Sequence, residues 1–507
     1  MIYPSSFESK TGFDQVRELV KEHCLFQPGR QKVDEIRFIT DYQNIRELLE
    51  QTSEFKDICL VEQNFPTDHY KDLSSGLKKI KVEGSFLETE EVFDLRRSLE
   101  TIKAVLKFFN NTAADKYPRL KSLAGKVKYF SYVDDRIDAI LTRQGKIKDN
   151  ASPGLRHIRE EIIQKQSSVG KRLQSLLKKA IDEGYVEKDT ALSIRNGRPV
   201  IPVPASNKRR IGGIVHDESA TGRTAYVEPS EVVELNNEIK ELEIAEFREI
   251  IKILTAFADA IRPYIDDLLL TYDFLGTIDF IRAKALFAIK IQAGLPALIN
   301  STGFRWRQAI HPLLYLHHKK EDKAVVPLDI YLDEKNRILL ISGPNAGGKS
   351  VCLKTVGLLQ YMLQCGLLLP MIESSEAGVF NDILIDIGDE QSIENDLSTY
   401  SSHIQNMKYF LKSASTKSLL LIDEFGTGTE PRIGGAIAEA ILDALNKSGA
   451  FGVITTHYSN LKHFASDAPG ITNGAMMFDT GKMQPLFKLE IGKPGSSFAI
   501  DIARKIG

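Results

Sequence analysis

The chain has 507 residues, 42% of them hydrophobic and 26% charged, with a formal net charge of −2. That length is too great for a single core and points to about three domains. The balanced composition excludes a disordered chain and gives no whole-chain sign of a polyanion partner, although a local basic patch would still be compatible with nucleic acid. Four cysteines, Cys24, Cys59, Cys352 and Cys365, show neither CxxC spacing nor nearby histidines, so free thiols in a reducing cytosol are expected rather than disulfides or zinc. The start, MIYPSSFESK, lacks the basic-then-apolar pattern of a signal peptide. No stretch approaches the roughly 18 uncharged apolar residues of a membrane span, so no membrane partner and a cytoplasmic location are expected.

Residues 1–150 read as helices with polar joints. FDQVRELVKEHC, IRELLEQTSEF and EEVFDLRRSLETIKAVLKFF each place apolar residues at i, i+3, i+4 and i+7. The segment 151–270 opens with the charged amphipathic run LRHIREEIIQKQSSVGKRLQSLLKKAI. Short β-rich pieces follow, RPVIPVPAS, RRIGGIVHDES and GRTAYVEPS, which predict two or three strands in a small sheet over 199–229. A long helix-period run from VVELNNEIKELE to TYDF comes next. Two long helices around a small β element suggest an arm with a β tip, or else an ordinary compact α/β subdomain. Residues 271–300 read as a helical return. From 301 the pattern changes: AIHPLLYLHH and AVVPLDIYLD introduce strands, and RILLIS, DILIDIG, SLLLIDEFG and GAFGVITTH are apolar β runs spaced for a parallel sheet covered by helices.

The run GPNAGGKS carries G-x-x-x-x-G-K-S: Gly343, Pro344, Asn345, Ala346, Gly347, Gly348, Lys349 and Ser350, followed by Val351. A buried strand leads in and a helix leads out, the setting a phosphate-binding loop needs. Its glycines let backbone N–H groups converge on phosphate oxygens at a helix N-terminus. Lys349 is expected to reach the β/γ-phosphates of ATP, and the Ser350 hydroxyl to ligate Mg²⁺. SLLLIDEFG ends a strand in Asp423, placed to bind Mg²⁺ directly or through water, and Glu424, placed to orient and deprotonate the attacking water. VITTHY sets His457 at the same sheet edge, where a γ-phosphate contact is expected. In the arm, Lys208, Arg209 and Arg210 are adjacent; they suit contacts to a nucleic-acid backbone or a solvated turn, and no interleaved aromatic residue supports base stacking.

In this order, GPNAGGKS, DEFGTGTEP, TTHY and the run LSTYSSH resemble the MutS family of ABC-type ATPases. RPVIPV, GGIVHDESATGRTAYVEP, VVELNNEIKELE and GKPGSSFAIDIARKIG look like its second bacterial branch, often called MutS-like endonucleases, and the resemblance covers nearly the whole chain. It implies a multidomain fold: a mostly α-helical lever, a long clamp arm with a small β tip, and an α/β P-loop ABC-type ATPase domain over 301–507. It also implies a homodimer in which Ser398 and Thr399, the signature pair, reach the nucleotide held by the partner's Lys349. A Ser/Thr cap on the following helix explains one of these hydroxyls as well.

The implied partners are branched or double-stranded DNA, where such a clamp limits recombination, or collided ribosomes, whose subunits it splits. A mismatch-repair sensor is a second reading, weakened because the domain that inserts Phe beside Glu into the duplex has no counterpart here. A scaffold gated by nucleotide, with incidental turnover, is a third. A transporter subunit is remote, since LSGGQ is absent. Members of this branch usually carry a small C-terminal nuclease domain after a helical linker. The sequence ends at Gly507, where that linker is expected to begin, and nuclease activity is not expected of these residues.

Overall fold

The computed structural model describes residues 1–113, 115–344, 347–388, 399–427, 430–479, 482 and 484–495. The chain passes back and forth between two compact units. The first comprises residues 1–70, 104–127 and 273–507, the second residues 71–103 and 128–272.

The first unit is organised by a seven-stranded sheet. Its order is Ile2–Tyr3, Asp382–Asp386, Ser418–Ile422, Phe451–Thr455, Asn336–Ser342, Gly470–Asp479 and Gln484–Ile491. Every pairing is parallel except the last, which is antiparallel. The central strands are unbroken apolar runs because both faces are covered. Alternate residues divide between two cores, as a period of two requires. Leu339, Ile341, Leu419, Leu421 and Val453 face the helix Lys349–Gln364 with its Leu353 and Val356. Ile338, Leu340, Leu420, Ile422 and Ile454 face Met407, Phe410, Leu442 and Leu461 on the helices Thr399–Ser413, Pro431–Lys447 and Ser459–Asp467.

A separate four-stranded sheet, ordered Ala297–Leu298, Glu376–Ala377, Phe304–Ala309 and Leu328–Leu332, carries the buried and stacked Phe304 and Trp306. AIHPLLYLHH is not a strand beyond Ala309: Pro312–Lys320 is a helix. Pro312 sits at its first position, where its missing N–H costs nothing, and His311 Nδ1 accepts from Leu314 N–H at the cap. Within the apolar run that suggests a strand, Leu313 and Leu316, three positions apart, pack against the core of the first unit as one face of a helix.

In the second unit, the 30-residue helix Pro153–Asp182 and the 32-residue helix Ser230–Ile261 flank a small antiparallel sheet. Ser152 caps the first by accepting from Leu155 N–H at 3.0 Å. The sheet has four strands rather than two or three, ordered Ser193–Arg195, Arg198–Pro204, Thr224–Pro229 and Gly213–Glu218. The additional strand comes from a two-residue hairpin whose Asn196 and Gly197 have φ of 51° and 74°, the left-handed pair such a turn demands. The long helical run that follows is interrupted at Arg262–Tyr264, where Pro263 removes a backbone donor, and resumes as Ile265–Lys290. All four cysteines are free, three of them buried. Among the described residues no helix is long and apolar enough to cross a membrane.

Candidate functional site

The strand Asn336–Ser342 ends at a loop that turns into the helix Lys349–Gln364. Two of its glycines adopt left-handed φ, 137° at Gly343 and 92° at Gly348. A Cβ at Gly343 would stand 3.2 Å from the Met476 carbonyl oxygen. Only glycine meets both demands without strain. Asn345 and Ala346 lie outside the described residues. Gly347 N–H donates to Pro344 O at 3.0 Å, closing the turn. Ser350 and Val351 are exposed on the first turn of the helix.

Lys349 is 2% exposed, and its ammonium donates to the carbonyls of Gly343 (2.8 Å) and Pro344 (3.1 Å). It also donates to His457 Nε2 at 3.3 Å. Burial pushes the Lys349 pKa down, while Asp423 and Glu424 pull it back up. The His457 imidazole is pushed below its usual range by partial burial and then by Lys349, so it is neutral near pH 7. Four expected residues, Lys349, Asp423, Glu424 and His457, are thus gathered at the C-terminal ends of the parallel central strands of one sheet.

The acidic pair is held by the neighbouring strand end. Asp423 Oδ1 accepts from Thr455 Oγ1 at 2.5 Å and from Glu424 N–H at 3.2 Å, and Glu424 N–H also donates to Thr455 Oγ1 at 2.8 Å. Phe425 N–H donates to Thr455 O, and Thr456 N–H to Ile341 O, which locks three strand ends together. Glu424 itself has φ 49°, left-handed backbone in a residue with a Cβ. Such strain persists only where surrounding bonds over-determine it, and it clusters at working sites. The Glu424 carboxylate is exposed while Asp423 is 9% exposed. Among the described residues no group of three or more His, Cys, Asp or Glu forms a ready-made metal cage. Oxygen donors from one carboxylate and one hydroxyl fit Mg²⁺, which keeps most of its waters and shares itself with substrate phosphates.

Sequence reasoning missed an apolar cavity of about 280 Å³ beside the loop. Its walls come from Leu314, Val325, Val326, Val351, Met476 and Phe487 among others, and His311 and Cys352 also line it. Burial lowers the His311 pKa to about 4 and raises that of Cys352 to about 12, so both are neutral. Val351 adjoins the loop motif and was expected at the nucleotide; the other walls come from separate chain segments that share no motif with it, so the sequence carries no signal for them.

Ser398 lies outside the described residues. Thr399 is the first residue of the helix Thr399–Ser413. In the second unit, Lys208 pairs with Glu218 at 3.0 Å, Arg210 lies 5.9 Å from the Tyr185 ring centroid, and Arg209 is exposed. This turn therefore presents basic groups that are partly engaged already.

Residues 339–507 match the family MutS domain V. Proteins called endonuclease MutS2 are similar over 98% of the chain. They include one from Alkaliphilus oremlandii (strain OhILAs), 35% identical over 496 residues, and one from Geobacillus sp. (strain WCH70), 36% identical over 497. Another, from Lactiplantibacillus plantarum (strain ATCC BAA-793 / NCIMB 8826 / WCFS1), is 36% identical over 499 residues. The chain spans 62% of the length of each of these relatives.

Proposed function

We propose that this chain, which belongs to the MutS family, hydrolyses ATP and works as a pair of identical chains clamped on a nucleic-acid structure. The observation that carries this reading is the convergence of Lys349, His457, Asp423 and a strained Glu424 at one sheet edge. The charges are arranged for a triphosphate. Lys349 lies against two backbone carbonyls, weaker acceptors than a phosphate oxygen, so bound ATP draws its ammonium away from them at little cost. Asp423 and Ser350 would hold Mg²⁺, which supplies electrostatic stabilisation of charge on the phosphate oxygens. Glu424, exposed and one residue on, accepts the proton of the attacking water. Neutral His457 donates a hydrogen bond toward the γ-phosphate from the ring nitrogen that carries its proton. The base fills the cavity between Val325, Val326 and Phe487, where apolar walls favour a flat heterocycle. Ser398 and Thr399 complete the site of the partner chain. Products are ADP and phosphate.

The two long helices around the four-stranded sheet are read as the clamp arm, with Lys208, Arg209 and Arg210 near its tip as backbone-phosphate contacts. The target is branched or recombining DNA, or a collided ribosome. Salt-dependent binding to four-way junctions, compared with co-sedimentation on collided ribosomes, separates the two. The ATPase reading is tested with Glu424→Gln: nucleotide affinity within twofold of wild type, turnover reduced at least a hundredfold, and a particle of twice the mass in ATP. Normal turnover in that variant would remove Glu424 as the base.

A further inference from the structure

Asp386, at the end of the strand Asp382–Asp386, has a carboxylate with both oxygens in use. Its Oδ2 accepts from His403 Nδ1 at 2.6 Å and its Oδ1 from Asn406 Nδ2 at 2.9 Å. The side chain is buried, only 2% of the residue being exposed. His403 and Asn406 stand one turn apart on the helix that begins at Thr399, so the carboxylate grips that helix at two points on one face. From the neighbouring strand, Tyr3 Oη donates to Asn406 Oδ1 at 2.7 Å, and its ring stacks on Tyr409 with centroids 4.1 Å apart. The Asp386 backbone carbonyl, in turn, accepts the N–H of Asp423 at 2.9 Å. One residue therefore touches both the helix that opens at the signature segment and the strand end that bears the acidic pair.

Packing does not require a polar pair here. Met407 and Phe410 already bury the inner face of the helix. A buried carboxylate and its partner commonly contribute little net stability compared with an apolar substitute, so their value lies in fixing one geometry. An apolar contact would let the helix slide or rotate by a fraction of a turn; two directional bonds from one carboxylate do not.

We infer that Asp386 and His403 are positioning residues that fix the signature helix of each chain in register with that chain's own acidic strand end, so that one carboxylate aligns the donors lent to the partner's nucleotide. The inference rests on the head-to-tail reading given above. It sets the two ATP sites of a dimer in communication, because the strand end serving one site is bonded to the helix serving the other.

Mixed dimers of differently tagged chains test it. In the first, one chain carries His403→Ala and the other Glu424→Gln. The surviving Glu424 is then served by an intact signature helix. In the second, both substitutions lie on one chain opposite a wild-type partner, and the surviving Glu424 is served by the altered helix. Turnover in the second dimer is expected to be at least tenfold below the first, with the ATP affinity of each isolated chain within twofold of wild type. The same two dimers built with Asp386→Asn, which preserves side-chain shape, should show the same asymmetry even if alanine at 403 is poorly tolerated. Equal turnover in the two arrangements overturns the positioning role. A Glu424→Gln homodimer is assayed alongside. If it hydrolyses ATP normally, the reading of the ATP site fails; if it is silent while the mixed dimers are equal, the positioning role alone fails.

Discussion

Lys284 offers a quantitative test of how the first unit is built. It sits on the helix Ile265–Lys290, 1% exposed, and its amine donates to Gly366 O at 3.1 Å, next to the C-terminal end of the helix Lys349–Gln364. Burial lowers its pKa from 10.5 to about 7. That gap corresponds to a destabilisation of about 5 kcal/mol relative to an unperturbed amine. The sign follows from proton counts. Between about pH 7 and pH 10.5 the unfolded chain holds a proton that the folded chain has released, so stability rises with pH across that window. The destabilisation is complete below pH 7 and shrinks to about 2 kcal/mol by pH 9. Lys284→Met keeps the length and bulk of the side chain and removes the titration. It sacrifices one hydrogen bond, worth about 1 kcal/mol, although Gly366 O still accepts from Thr52 Oγ1 at 3.3 Å. The variant should therefore be more stable than wild type by about 3 kcal/mol at pH 7, and its advantage should narrow by about 2 kcal/mol at pH 9. The assay is urea unfolding followed by the fluorescence of Trp306, the only tryptophan, which is buried in the same unit. A stability difference that does not change between the two pH values would show that the amine is not buried as described.

Two further predictions concern sites in different units. Gly426 has φ 93°, and a Cβ there would stand 3.0 Å from the Tyr458 ring and 3.1 Å from Ala438 Cβ. Gly426→Ala should distort the turn after Glu424, cutting turnover at least tenfold while nucleotide titration gives an affinity within twofold of wild type; full turnover would mean the turn does not set the carboxylate. In the second unit, Glu228 is fully buried and accepts from Arg198, His216 and Asn236. Burial pushes its carboxyl up, but these three partners outweigh it and hold it below the usual range. Glu228→Ala removes the buried acceptor shared by Arg198, His216 and Asn236 and should destabilise the second unit by about 3 kcal/mol. Proteolysis across 193–229 should quicken while the Trp306 transition stays put, and unchanged proteolysis would contradict this account.

The sheet of the first unit was readable because its central strands are buried on both faces. Runs such as RILLIS and SLLLID then have no polar alternation to confuse them with helices. The loop, the acidic pair and His457 were readable because each follows such a strand within a few residues. What could not be read is what distant segments build together. The edge strand Ile2–Tyr3 is two residues long and takes its conformation from Ile383 and Leu384. The cavity beside Gly348 is assembled from pieces spread between 309 and 487. Asp386 looks like one more strand-end carboxylate until the helix carrying His403 is folded against it. The helix Pro312–Lys320 was misread because an apolar run that short is compatible with either structure, and its cap residue, a histidine, is not among the usual signals.

The pairing of Ile2–Tyr3 with the strand at 382–386 has a bearing on biosynthesis. Made from its N-terminus onward, the polypeptide releases the outermost sheet partner long before the strand that will receive it. The second unit ends at Tyr272, so it is complete and free to fold while the seven-stranded sheet of the first unit is still being translated. Meanwhile Phe7, Phe13 and Val16, which belong to the core of the first unit, wait in water for their partners. Nascent chains that have not yet extruded the strand Asp382–Asp386 should thus be bound by holdase chaperones through the segment holding Phe7, Phe13 and Val16, and released once that strand has emerged.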